Sequence, residues 1–362
     1  MESSFPAWLC TLLYPAGLLY RTGIHLRNSL YRRGVLPVCR LDIPVVSVGN
    51  LTVGGAGKTP FTAYLAARLR ESGRRVAVAS RGYGGFPQDL PLVVSDGSGP
   101  KVSAREAGDE PIFLAQALPT VAVVVCRDRV AAARTARNRL GADLVLLDDG
   151  FQHRHLARDL DLLLVEAGRV FGNGRMLPCG PLREPLKEMA RADALVVTGR
   201  SDELHAGAAT VRQLLSRQGL ARPVFPCERR SEGFIRLDSE DFFAPEALQG
   251  MKAVAFSGIA FPGAFEADLR AVGLELAETV RFRDHQWLGP AQLNAVRQAL
   301  NRTKPDVVIT TEKDRARLGT VRLPVPGYAL RIRMVPHEED ELLRLVAQRL
   351  TAADSPAVAS GR

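Results

Sequence analysis

Short apolar runs alternate with amphipathic stretches along most of this chain. Ile43 to Val48 (IPVVSV) predicts a strand, and Pro60 to Glu71 a helix with apolar Phe61, Tyr64, Leu65 and Leu69. Further strands are predicted at 75–79, 91–94, 120–125, 143–147, 161–165, 192–198 and 222–225. Helices are predicted at 109–118, 128–140 and 204–217. Residues 229–246 are polar and aperiodic, and read as a linker or hairpin. The alternation then restarts, with strands at 253–256, 275–281, 306–310 and 328–335 and helices at 263–271, 290–300 and 338–350. Strands that are apolar throughout, each followed by a helix, predict parallel sheets covered on both faces. Ligands of such sheets bind beyond the carboxyl ends of the strands. The expected organisation is an N-terminal segment (1–40), a larger α/β core (41–228) and a smaller α/β domain (229–362).

The N-terminus departs from this alternation. Phe5 to Tyr20 is mostly apolar, and Arg21, Arg27, Arg32, Arg33 and Arg40 follow it. The run is interrupted by Pro15 and Gly17 and is short for a spanning helix. The charge comes after the apolar residues, the reverse of a secretory signal. Apolar and aromatic residues followed by arginines predict a helix lying in a membrane interface, and the alternative is a helix packed on the protein's own core. A formal net charge of +9 suits an anionic partner: nucleic acid, an acidic membrane or a phosphorylated substrate. The five cysteines show no metal-binding or disulfide spacing, which fits a reducing compartment.

Candidate chemistry falls at the ends of predicted strands. Gly49 to Pro60 (GNLTVGGAGKTP) lies between a predicted strand and a predicted helix, where a phosphate loop belongs. Thr52, Val53, Gly54, Gly55, Ala56 and Gly57 would wrap the phosphates, with glycines permitting the tight backbone. Lys58 would neutralise the β- and γ-phosphates, and Thr59 would offer its hydroxyl to Mg²⁺. Thr52 stands where the usual first glycine of such a loop would be. Leu144 to Gln152 (LVLLDDGFQ) delivers Asp148 and Asp149 to a strand's carboxyl end as candidate metal ligands. Neighbouring residues of a strand face opposite ways, so both acids serve one ion only if the strand ends there, as Gly150 suggests. Arg81 in SRGYGG and Arg127 after the 120–125 strand are candidate anion contacts. Asp109 in GDEP is either a functional acid or a helix cap.

Taken together, these segments resemble the tetraacyldisaccharide 4′-kinase (lipid A 4′-kinase) family. The resemblance covers nearly the whole chain and also rests on LDDGFQHR (147–154), GPLREP (180–185), FSGIA (256–260), DHQ (284–286) and TTEKD (310–314). It implies a P-loop NTPase-type parallel sheet covered by helices, a second smaller α/β domain and an N-terminal membrane-associated helix. It implies transfer of the γ-phosphoryl of ATP, with Mg²⁺, to the 4′-hydroxyl of a tetraacylated glucosamine disaccharide 1-phosphate. The expected partners are that lipid and an anionic membrane surface, without nucleic acid or an obligate protein partner. The expected location is peripheral or monotopic, on the cytoplasmic face of a bacterial inner membrane.

By position, the resemblance implies that Lys58 and Thr59 serve the nucleotide and Mg²⁺, and that Asp148 and Asp149 are the metal and catalytic pair. It implies that Asp109 activates the attacking hydroxyl and that His285 partners it from the second domain, with domain closure assembling the two. Two other classes share part of the pattern. One is a nucleotide-driven switch with a partner protein, which the GGAGKT loop suggests. The other is a nucleic-acid-dependent ATPase, which the net charge suggests.

Overall fold

The computed structural model describes residues 13–86, 89–319 and 321–354. Its strands are β1 (Val45–Gly49), β2 (Val76–Ser80), β3 (Leu92–Asp96), β4 (Ala122–Val125), β5 (Leu144–Asp148), β6 (Leu160–Glu166) and β7 (Ala194–Gly199). They continue with β8 (Val224–Arg236), β9 (Phe242–Phe243), β10 (Lys252–Ser257), β11 (Glu275–Arg281), β12 (Val307–Thr311) and β13 (Gly327–Pro336). Two compact units emerge. The first takes in the chain up to Arg81, Asp128–Arg229 and the residues from Met334 on; the second is Gly82–Arg127 with Arg230–Arg333.

This grouping differs from the contiguous division expected at residues 228 and 229. Gly82–Arg127 belongs with the later segment because its helix Asp109–Ala117 buries Asp109 against Arg317, and because Glu110 pairs with Lys313. Residues 229–236 are not a linker either. They prolong β8, which pairs antiparallel with β9 as a hairpin.

In the first unit the strands run in the order β8–β7–β6–β1–β5–β2, each pair parallel. β1 is central, between β5 and β6. It is buried along its whole length, as a strand covered on both faces must be. The register sets Val48 beside Asp148 and Gly49 beside Leu163. The carboxyl end of β1 and the acidic end of β5 are therefore neighbours. Helix Ser201–Arg217 covers part of this sheet, and its Leu204, Ala208, Val211 and Leu215 join Leu163, Val165, Leu195 and Val197 in one core.

The helix Tyr14–Arg32 belongs to this unit. Residues 5–12 of the apolar N-terminal run lie outside the described residues. Pro15, expected to interrupt the run, sits in the helix's first turn, where its missing N–H breaks no hydrogen bond. Tyr20 donates to the Arg183 carbonyl, Arg27 and Asn28 donate to Glu184, and Arg32 pairs with Glu188. Tyr14, Leu18, Leu19 and Leu26 are exposed. At about 100° per residue they share one broad arc, centred opposite Tyr20 and Arg27. No helix among the described residues is long and apolar enough to cross a membrane.

In the second unit, β11–β10–β12–β13 is parallel, whereas β3 pairs antiparallel with β4, contrary to the all-parallel expectation. Strand alternation builds two cores. Ala253, Ala255, Val307 and Ile309 face Phe265 and Leu269, while Val254, Phe256 and Val308 face Val296 and Leu300. Each fully buried Phe or Leu of this kind contributes about 1.5–3 kcal/mol.

Candidate active site

The loop after β1 closes at Gly57, whose φ of 69° is left-handed; a side chain there would be strained. Helix Lys58–Glu71 begins at the next residue, so its N-terminal end points back at the loop. Lys58 Nζ lies 3.2 Å from Asn50 Oδ1, 3.4 Å from the Gly54 carbonyl and 3.5 Å from Asp149 Oδ1. The Thr198 hydroxyl, at the end of β7, donates to the Ala56 carbonyl at 3.0 Å and holds the far side of the loop. Of the residues expected to wrap a phosphate, Val53 commits its N–H to Pro181 and Thr52 bridges to Leu182. The GPLREP segment thus braces the entrance of the loop.

The two acids diverge, because β5 ends at Asp148 and Asp149 turns into the left-handed region at φ 53°. Asp148 is buried and accepts from Thr59 (3.3 Å) and Thr62 (3.1 Å). Asp149 faces Lys58 and also accepts from Arg183 Nη1 at 2.9 Å. Burial alone would push the Asp149 carboxyl up, but the Lys58 and Arg183 cations outweigh it and hold the group below its usual range. Thr59, Asp148 and Asp149 offer the hard oxygen donors that Mg²⁺ takes, and such an ion completes its shell with water and substrate phosphates. The donor set therefore fits that ion.

The second unit carries a separate cluster. Asp109 is the first residue of helix Asp109–Ala117; the cap position belongs to Gly108, which takes φ 92° and passes so close to the Tyr83 carbonyl that a Cβ would sit 2.3 Å from it. SRGYGG and GDEP are thus two halves of one tight backbone packing. Asp109 Oδ1 lies 3.1 Å from His285 Nδ1 and also accepts from the Glu110 N–H. Burial would raise the Asp109 carboxyl, but the bond to His285 and the charges of Lys313 and Arg317 hold it low. Oδ2 is buried without a hydrogen bond, 3.3 Å from Arg317 Nε. Arg317 is buried too, and it donates to the Gln286 and Gly258 carbonyls and to Asp314. It therefore ties the turn bearing His285 to Asp109. The expectation that these two residues sit on different domains is corrected: both belong to one unit, so their pairing needs no closure.

The remaining candidates are more exposed. Arg81 follows β2 on the surface, and Arg127 pairs with exposed Asp89. The motif reading passed over Arg183, Thr62, Lys313 and Arg317. Arg183 lies inside GPLREP, and Thr62 is one turn beyond Thr59. Lys313 lies inside TTEKD, and it and Arg317 sit in EKDRARL, a charged stretch whose few apolar residues gave no helix signal.

A parallel sheet whose central strand runs through a glycine-rich loop into a helix, with Lys58 and Thr59 at its start and an acid on the adjacent strand end, defines the P-loop phosphate-binding class. A family model described as tetraacyldisaccharide-1-P 4′-kinase matches residues 9–351. The chain is 44% identical over 330 residues to the tetraacyldisaccharide 4′-kinase of Anaeromyxobacter dehalogenans strain 2CP-C, covering 90% of this chain and 85% of that one. It is 40% identical over 337 residues to that of Syntrophotalea carbinolica, with 92% and 91% covered. A crystal structure of LpxK from Aquifex aeolicus in complex with ATP superposes with a TM-score of 0.75 at 34% identity, covering 94% of this chain and 99% of that one. The chain belongs to the tetraacyldisaccharide 4′-kinase family.

Proposed function

We propose that this protein transfers the γ-phosphoryl group of ATP to the 4′-hydroxyl of a tetraacylated glucosamine disaccharide 1-phosphate, the step that gives lipid A its 4′-phosphate. The observation that carries this reading is the family match over residues 9–351, which takes in both the phosphate loop and the Asp109–His285 pair. The phosphate loop and Lys58 hold the β- and γ-phosphates. Thr59 with Asp148 or Asp149 would hold Mg²⁺, which when bound offsets phosphate charge. Asp109, ionised at neutral pH, takes the hydroxyl proton as the new O–P bond forms and the bond to the β-phosphate oxygen breaks, releasing ADP. A carboxylate held low is a weak base. That suits a loose transition state in which the nucleophile is barely bonded.

The exposed apolar arc of helix Tyr14–Arg32, together with the basic residues around it, supports association with an anionic membrane surface, where such a lipid resides. The cytoplasmic face of a bacterial inner membrane is the location this implies. Arg81 and Arg127 are candidate contacts for the substrate's phosphate.

The test is transfer from γ-labelled ATP with Mg²⁺ to detergent-dispersed tetraacyl disaccharide 1-phosphate. Label is expected in a bisphosphorylated lipid. Loss of about 10²–10³-fold is expected in Lys58→Ala, which removes a charge that stabilises the transition state, and in Asp109→Asn. Label appearing only as free phosphate would instead favour a nucleotide-driven switch.

A further inference from the structure

Helix Glu312–Leu318 brings a cation to the far side of His285. Lys313 Nζ lies 3.3 Å from His285 Nε2, 3.2 Å from Glu110 Oε1, and 3.8 Å from both Asp109 Oδ2 and Asp284 Oδ1. An ammonium has donors and no acceptor. At hydrogen-bond distance from an imidazole nitrogen, it requires that nitrogen to offer its lone pair. Nδ1, on the other side of the ring, faces Asp109 Oδ1 at 3.1 Å, and an ionised carboxylate only accepts. The two neighbours make opposite demands, and one form meets both: neutral imidazole with its proton on Nδ1. Asp284 Oδ2, 3.7 Å from Nε2, is too far to draw a proton there. The bond to Asp109 raises the pKa of His285, against burial and the Lys313 charge. The 3.3 Å contact limits that rise, because an ammonium and an imidazolium are both donors.

We propose that Lys313 is a positioning residue that fixes His285 as the neutral Nδ1–H tautomer, so that the imidazole donates to Asp109 Oδ1 and holds the carboxylate in the orientation from which it takes the proton of the substrate hydroxyl. This rests on the reading of Asp109 as the proton acceptor. The groups facing the pair agree with it. Against burial, Glu110, Asp109 and Asp284 keep Lys313 charged; Arg317 stands 3.3 Å from Oδ2 and pairs with Asp314 at 2.7 Å. His285 then orients the base and does not carry the proton onward, since its second nitrogen faces a cation.

The experiment is ¹⁵N NMR of the full-length protein labelled at histidine, with His285→Gln to assign the signal, at about pH 8, above the ordinary histidine range. The Nδ1–H pattern is expected for the native chain and for Lys313→Arg. Lys313→Met is expected to admit the Nε2–H form and to move the midpoint of His285 protonation upward. It should also lower kcat about tenfold, with KM for ATP and lipid within about twofold. An Nε2–H ring in the native protein, or a His285 signal unmoved in Lys313→Met, overturns the proposal. Full turnover by Asp109→Asn would instead remove the reading of Asp109, and the tautomer would still be read from the same spectra.

Discussion

His153 follows the acidic pair, and its Nε2 is buried without a hydrogen bond. Burial first, and then the Arg129 charge, pushes its pKa down to about 4. The unfolded value is about 6.5, so folding favours the neutral ring. Its contribution to stability is therefore fully present above about pH 6.5 and is lost as pH falls toward 4. Discounted for partial exposure, that loss is about 2 kcal/mol. Urea unfolding at pH 7.5 and at pH 5 should show a smaller acid loss in His153→Gln than in the native chain, and equal losses would refute the assignment. At this scale the sequence exposes residue types but not partners. Lys58 and Thr59 are legible because a glycine-rich turn with Lys-Thr has one common use. Asp109 and His285 are 176 positions apart, and no spacing rule joins them. Asp109 stood by itself as either an acid or a helix cap, and its pairing with His285 came through family resemblance alone.

Strands were the most legible elements, because runs such as VVSV and LVLLD have one favourable environment, a sheet covered on both faces. Helix Glu312–Leu318 was invisible for the opposite reason: it is held by the buried charges of Asp314 and Arg317, not by an apolar stripe. The later half of β8 was legible only as a linker or hairpin, since the polar run Glu228–Glu232 separates its first apolar residues from buried Phe234 and Ile235. The docking of helix Tyr14–Arg32 is ionic in the same way. Glu184 is fully buried and pairs with Arg27 at 2.6 Å and with Arg191. Glu184→Ala removes the acceptor that Arg27 and Arg191 share, leaving Arg191 its pair with Glu188, and should cost about 2–3 kcal/mol. Denaturant unfolding measures this, and faster proteolysis within residues 14–32 should accompany it. A loss below about 1 kcal/mol would mean the helix is held by other contacts.

For the whole molecule, charge and exposed apolar surface make a joint prediction. Leu18 and Leu19 are 52% and 76% exposed, on a chain of net charge +9. Association with anionic vesicles should weaken as salt rises. It should fall at least about tenfold in Leu18→Ser/Leu19→Ser, from the apolar burial lost, while ATP binding is retained. Unchanged vesicle binding would assign the arc another role. Domain organisation was the least legible level, because reading along a chain assumes that neighbours in sequence pack together. Here the chain passes between the units after Arg81, Arg127, Arg229 and Arg333.

That discontinuity also sets a schedule. Tyr64 and Arg68, on the helix that follows the phosphate loop, find their acceptor in Glu339, 275 and 271 positions later, and Arg74 finds its own in Asp354. A ribosome adding about 5–20 residues each second needs on the order of half a minute to cover that distance. The strands of the nucleotide-binding unit are complete only once Val224–Arg236 has been made, and from then until Glu339–Asp354 emerges the unit waits without the helix that covers its flank. The newborn chain must be kept from sticking to its neighbours until Glu339–Asp354 has been made.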